Sequence, residues 1–249
     1  MAGTPRPRTV STKQAWIAQL ARQMPDKALH SLSHHMDLDW LDEAYRRTRR
    51  DGAVGVDGQS AEAFAEDLES HLQTLLDEAK SGTYRAPPVR RVYIPKAGTP
   101  EGRPIGVPTF GDKVLQRAVL MLLEPIYEQD FYAFSYGFRP RRSTHQALEA
   151  LNDGLWSMGG GWVLDVDVSG FFDTMREDVL QDLLRQRVAD GVVRRLVGKW
   201  LRAGVLEEGV EHHPETGSPQ GGVVSPLLSN IYLHEVFDQW WSDEVAPRM

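Results

Sequence analysis

The stretch that most constrains the fold is residues 162–173, Trp-Val-Leu-Asp-Val-Asp-Val-Ser-Gly-Phe-Phe-Asp. Val163, Leu164, Val166 and Val168 give it the apolar, β-branched character of a buried strand. Strand side chains alternate between faces, so Asp165 and Asp167 point the same way. Carboxylates are almost never fully buried unless paired or bound to a cation. Two readings stay open on these residues alone. Either the strand ends in water with Phe171 and Phe172 packed in the core, or its acids hold a metal. Ser169 and Gly170 end the strand in both.

Composition narrows the class. The chain has 249 residues, 41% of them hydrophobic and 25% charged, enough for one large domain or two small ones. It contains no cysteine, which excludes disulfides and thiolate metal sites. No apolar run is long enough to span a bilayer, and the first residues lack the apolar centre of a signal peptide. These features favour the cytoplasm and no membrane partner. A net charge of −7 argues against a chain coated all over with nucleic acid. The basic residues are nevertheless concentrated. Arg85, Arg90, Arg91, Lys96 and Arg103 face only Glu101 over residues 85–104, and Arg139, Arg141 and Arg142 form a second cluster. A phosphate backbone fits such a region, and a solvated basic face is the plainer alternative.

Apolar periodicity predicts helices over 11–24, 38–50, 60–80, 112–127, 144–158, 177–189 and 192–202, and a last one from the loop at 217–230 to about 241. Phe64, Leu68, Leu72, Leu75 and Leu76 form the stripe of the third, and Ala147, Leu148 and Leu151 that of the fifth. Ser143 is placed to cap the fifth. Strands at 89–94 and 103–108 flank a glycine- and proline-bearing turn, giving a β-hairpin with Lys96 and Arg103 beside the turn. Prolines at 95, 104 and 108 predict a sheet edge. Residues 205–210 and 212–217 read as a second short hairpin.

Four stretches now stand in a fixed order. They are Ile94-Pro-Lys with Gly102-Arg-Pro-Ile-Gly-Val-Pro-Thr, then Ser135-Tyr-Gly-Phe-Arg-Pro up to Ser143, then Val166-Asp-Val-Ser-Gly-Phe-Phe-Asp, and finally Ser218-Pro-Gln-Gly-Gly-Val-Val-Ser-Pro-Leu-Leu-Ser-Asn. In this order and spacing they resemble the reverse transcriptases encoded by group II introns, from about residue 54 to the C-terminus. The resemblance implies an α+β right-hand polymerase, with a helical N-terminal extension at 1–53, fingers at 54–160 and a partial palm at 161–249 built on a ferredoxin-like sheet. It implies RNA-templated synthesis of DNA from dNTPs on a DNA primer, using two Mg²⁺ ions, with intron or other RNA as template.

Residue by residue, the resemblance makes Asp167 the first catalytic, metal-binding carboxylate and the Val168 carbonyl a further metal ligand. Hard oxygen donors on a rigid strand suit two-metal phosphoryl transfer. It places Phe172 under the sugar, where a ring excludes a 2′-hydroxyl; a plain core aromatic is the alternative. It gives Lys96 and Arg103 to the triphosphate, and Gln220 and Gly221, with Pro219, to the loop beside nucleotide and template. Arg139, Arg141 and Arg142, with Tyr136 and Phe138, fit a template-RNA contact through phosphates and stacking. Rings filling a turn would explain the same residues. Asp165 and Asp173 stay outside the catalytic set.

The chain also departs from that family. No Asp-Asp pair occurs in it, so the aromatic-Ala-Asp-Asp hairpin of the second palm motif is missing, and so is a thumb. One carboxylate strand does not hold two ions about 4 Å apart. The expectation is a truncated or split polymerase piece, inactive alone, that needs a complementing palm and thumb segment. A non-catalytic RNA-binding remnant that assists intron folding is the second reading. A nuclease or cyclase on the same palm is a weaker third, because neither needs the Ser-Pro-Gln-Gly loop.

Overall fold

The computed structural model describes residues 9–95, 102–212 and 221–248. In chain order the elements are α1 (Val10–Gln23), α2 (Leu38–Arg47), α3 (Ala61–Ala65), α4 (Leu68–Ser81), β1 (Val89–Pro95), β2 (Gly102–Val107), α5 (Phe110–Tyr127), α6 (Thr144–Ser157), α7 (Phe171–Thr174), α8 (Glu177–Arg187), α9 (Gly191–Leu201), β3 (Val205–Glu207), β4 (Val210–His212) and α10 (Ser225–Leu233). Past α10 the chain winds on as π-helical turns, His234–Asp238 and Trp241–Val245. Side chains of Thr9, Asp37, Ser60, Thr109, Ser143 and Asp190 accept from free N–H groups at the starts of their helices. Among the described residues no helix is long and apolar enough to cross a membrane.

Helix α5 is buried over most of its circumference. Val114, Leu115, Ala118, Val119, Leu122 and Ile126 are fully enclosed. The stripe of Lys113, Arg117, Leu120 and Glu124 is only half-buried; a face this wide and apolar has to be covered on several sides, and α1, α2, α3, α4 and α10 pack on it. Pro125 sits inside α5. It has no N–H to give the Met121 carbonyl one turn back. Gln14 on α1 fills that vacancy, its Nε2 donating to Met121 O at 3.1 Å. Trp40 on α2 donates its indole N–H to the Ala118 carbonyl at 2.9 Å. The N-terminal helices thus join the same core as α5, α8 and α9.

Arg187, at the end of α8, closes the other end of α1. It forms a two-pronged pair with Asp130 at 2.7 and 3.0 Å and donates to the carbonyls of Met24, Lys27 and Ala21. Ala21 and Met24 stand at the C-terminal end of α1, where carbonyls lack partners one turn on, and Lys27 lies in the turn that follows.

The single sheet among the described residues has the order β2-β1-β3-β4. The expected hairpin forms, with Ile94 opposite Arg103, and β2 is its proline-bearing edge. β1 then pairs in parallel with β3, Val89 opposite Val205. The second hairpin turns earlier than its sequence pattern predicts. Glu208 and Gly209 take φ of 50° and 81°, the two left-handed positions of a tight turn, so β4 starts at Val210.

Three expectations are corrected. The helix over 60–80 is two helices, broken near Asp67, where the His71 ring bonds the Phe64 carbonyl at 2.9 Å and stacks on the Phe64 ring. The strand over 163–168 does not form. Residues 161–170 belong to no ladder and are exposed throughout, with Trp162, Leu164, Val166 and Val168 in solvent. A strand exists only as part of a ladder, and no described segment lies beside this one. The ferredoxin-like palm sheet is accordingly not formed among the described residues. Helix α6 forms as predicted, but none of its residues is buried, and Leu148, Leu151 and Trp156 stand open.

The Pro125–Gln14 pairing gives a direct test. Gln14→Leu should cost about 1–2 kcal/mol, the penalty of an unpaired buried carbonyl. In a Pro125→Ala background, where residue 125 supplies its own N–H, the same change should cost about 0.5 kcal/mol or less. Urea denaturation of the four proteins in a double-mutant cycle reads the difference.

Candidate nucleotide and RNA site

Helix α10 and the turn that feeds it, the last of the four sequence stretches singled out above, gather the other three. Gly221, at φ 111°, lies against β2 so closely that a Cβ there would stand 2.3 Å from the Gly106 carbonyl oxygen. Only glycine permits that approach and that dihedral angle. This joins the Gly102–Val107 strand to the 218–230 stretch. One face further along, the Asn230 side-chain amide donates to the Gly137 carbonyl at 2.7 Å, which ties in the aromatic and basic loop. Tyr232 meets the Phe171 ring edge-on, with centroids 6.0 Å apart, which ties in the segment after Asp167.

Individual residues fall into three groups. Arg103 on β2 is exposed and makes no ion pair with a described residue. Its neighbour in the basic cluster, Arg90, is committed inward, both guanidinium contacts going to the Val54 carbonyl at 2.7 and 2.9 Å. Arg91 lies 3.8 Å from Glu207. Lys96 and Gln220 lie outside the described residues.

The loop at 134–143 separates its arginines. Arg139 is 8% exposed. It pairs with Glu128 through two contacts of 3.0 and 3.2 Å, donates to the Tyr132 and Ser135 carbonyls, and lies over the Phe131 ring. Every edge of its guanidinium is used within the chain, and Arg139 holds the loop together. Arg141 is exposed, and Arg142 lies over the Tyr136 ring at 5.2 Å. Phe138 and Arg141 both adopt positive φ, 53° and 60°. Side chains with a Cβ rarely accept that geometry, and here it leaves the Phe138 ring 84% exposed.

Asp167 and Val168 lie on the open segment, exposed together with Asp165. Phe172 is half-buried against the core and meets Phe171 at 5.4 Å. A carboxylate and a carbonyl are donors of the right kind for Mg²⁺. They are too few for two ions, and among the described residues no group of three or more His, Asp or Glu side chains is placed to hold a metal. The described residues supply at most part of such a centre.

Periodicity did not single out Asp112. It is fully buried in the first turn of α5 and accepts from the Trp200 indole at 2.8 Å, from the Tyr84 hydroxyl, and from Gln116 Nε2 at 3.3 Å. Burial pushes its carboxyl up from 3.8 to about 6, against the pull of those three donors. Burial and the Asp112 charge push the Tyr84 hydroxyl well above its ordinary value. The one sequence signal was an acid three residues after Thr109, which reads equally well as an ordinary first-turn acid at a helix N-terminus.

A raised carboxyl pKa means that the fold prefers the protonated form. The native state then binds more protons than the unfolded state between pH 4 and 6, so stability falls as pH rises through that window and levels off above it. Relative to Asp112→Asn, the native chain should lose about 2 kcal/mol between pH 4 and 6 and nothing more between 7 and 8, by urea denaturation across pH.

Residues 94–245 match the family described as reverse transcriptase (RNA-dependent DNA polymerase). Among curated relatives, protein YkfC of Escherichia coli K12 is 43% identical over 208 residues, covering 81% of this chain and 54% of that protein. The group II intron-encoded protein LtrA of Lactococcus lactis is 41% identical over 183 residues, covering 73% of this chain and 30% of that protein. This chain thus spans about half the length of the first and under a third of the second. Among solved structures, a partial Cas6-RT-Cas1–Cas2 complex superposes with a TM-score of 0.51 at 21% identity, over 82% of this chain and 33% of that one, a likeness of fold.

Proposed function

This chain belongs to the reverse transcriptase family, with curated relatives among the group II intron-encoded proteins, and on that premise we propose that it is the fingers and part of the palm of an RNA-directed DNA polymerase. The convergence of three sequence-distant stretches on the fourth, which carries α10, supports the reading. Exposed Arg103, with Lys96, grips the triphosphate of the incoming dNTP, where cations position the phosphates and offset their charge. Gly221 and Gln220 approach the nucleotide and template. Phe172 lies under the sugar and disfavours a 2′-hydroxyl. Arg141 and Arg142 meet template phosphates, and Phe138 and Tyr136 offer rings for base stacking. Asp167 and the Val168 carbonyl would hold Mg²⁺, which supplies charge neutralisation at the reacting phosphate. The remaining carboxylate ligands come from a complementing palm segment. A remnant that binds intron RNA without polymerising it is favoured by one observation, the open Asp167 segment.

RNA binding tests the interface. Replacing Arg141 and Arg142 by alanine should flatten the slope of log affinity against log salt by about one for each phosphate that the two side chains neutralise, while changing stability by about 0.5 kcal/mol or less. Arg139→Ala should instead cost about 3–5 kcal/mol of stability, because Glu128 loses its partner. An unchanged slope in the double variant removes that loop from the RNA interface.

Polymerisation tests the chemistry. The chain alone should not extend a primer. Supplied with the remainder of a full-length relative, in cis or as a second chain, it should make DNA on an RNA template with Mg²⁺. Asp167→Asn should abolish this, Asp165→Asn should be milder, and Phe172→Ala should raise ribonucleotide use relative to deoxynucleotide. RNA binding with no synthesis from the completed protein favours the remnant.

A further inference from the structure

The turn from Gly221 to Val224 is held from two sides. On one side β2 lies against Gly221. On the other, a Cβ at Gly222 would stand 3.0 Å from Gln116 Oε1. That same oxygen accepts from the Val224 N–H at 3.4 Å. Helix α10 has no side-chain cap of its own, so this contact is what the Val224 N–H at its start receives.

What fixes the Gln116 amide lies one turn away. Gln116 is 3% exposed, and its Nε2 donates to Asp112 Oδ2 at 3.3 Å. The other Asp112 oxygen is anchored by Trp200 on α9 and by Tyr84 beyond α4. A primary amide has donors on one side and an acceptor on the other. With the nitrogen drawn to a carboxylate, which has no donor when ionised, the oxygen is turned towards the Gly222–Val224 backbone. A flipped amide would put an oxygen against the carboxylate and an N–H against the Val224 N–H.

We propose that Asp112 and Gln116 are positioning residues for the Gly221–Val224 turn: Asp112 fixes which way the Gln116 amide faces, and Gln116 fixes the Val224 N–H and the backbone leading back to Gly221. The bearing of this on nucleotide placement rests on the proposed function above; the positioning itself does not. Its reach is long in sequence, since Tyr84, Asp112, Gln116, Trp200 and Val224 are spread over more than half of the chain. It carries the packing of Tyr84, α5 and α9 to Ile105 and Gly106 of β2, the strand that also bears Arg103.

Amide hydrogen exchange by NMR on the 249-residue chain tests it, with no polymerase activity needed. In Gln116→Leu, protection of the Val224 amide should fall about tenfold, as for the loss of one hydrogen bond. The Leu228 amide, bonded to the Val224 carbonyl one turn on, should keep its protection. Asp112→Asn should give the same local loss with Gln116 intact, because its side-chain NH₂ would compete for the Gln116 oxygen. If Val224 protection is unchanged in Gln116→Leu, or falls only in step with Leu228, the proposal is overturned. Gln116→Leu decides it even where Asp112→Asn fails to fold, and Gln116→Met serves where leucine packs badly. Failure of the primer-extension assay with this exchange pattern intact would sink the polymerase reading and leave the positioning standing.

Discussion

Enclosing α5 is the constraint on which the rest depends. A helix with so wide an apolar face needs neighbours on several sides, and those neighbours have to answer its polar groups as well as its methyl groups. The Met121 carbonyl freed by Pro125 is met from α1, and the Ala118 carbonyl receives a second donor from α2. The Asp112 carboxylate is met from α9 and from Tyr84. Each answer is specific to one side chain, so hydrophobic burial supplies the driving force and these contacts supply the register. A buried polar group without its partner costs more than the bond itself contributes.

The frame of the candidate site inherits that order. Gly221 is pressed on β2, Asn230 reaches the 134–143 loop, and Tyr232 touches Phe171. The nine-residue helix α10 thus sets where three otherwise remote stretches lie relative to one another, and sites seated on packed helices and strands hold their geometry better than sites on loops.

Much of this was legible in the sequence. Alternation and prolines located the β1–β2 hairpin, and Ser143 and its neighbours marked the start of α6. The four stretches carried the family. What was not legible shares one cause: periodicity says that a face is apolar, not what covers it. Leu148 and Leu151 on α6 and the run from Trp162 to Val168 have the pattern of core residues, yet stand exposed among the described residues. Arg139 reads as a surface charge until the fold brings Glu128 to it. Asp112 reads as a first-turn acid until Trp200, 88 residues later, is seen to donate to it.

The placement of α10 has a consequence for how the chain is born. The strand that receives Gly221 leaves the ribosome roughly 115 residues ahead of the turn that seats on it, a wait on the order of ten seconds at ordinary translation rates. During that interval the 134–143 loop already has Glu128 and Phe131 to hold it through Arg139, while the Gly106 edge of β2 waits for Gly221.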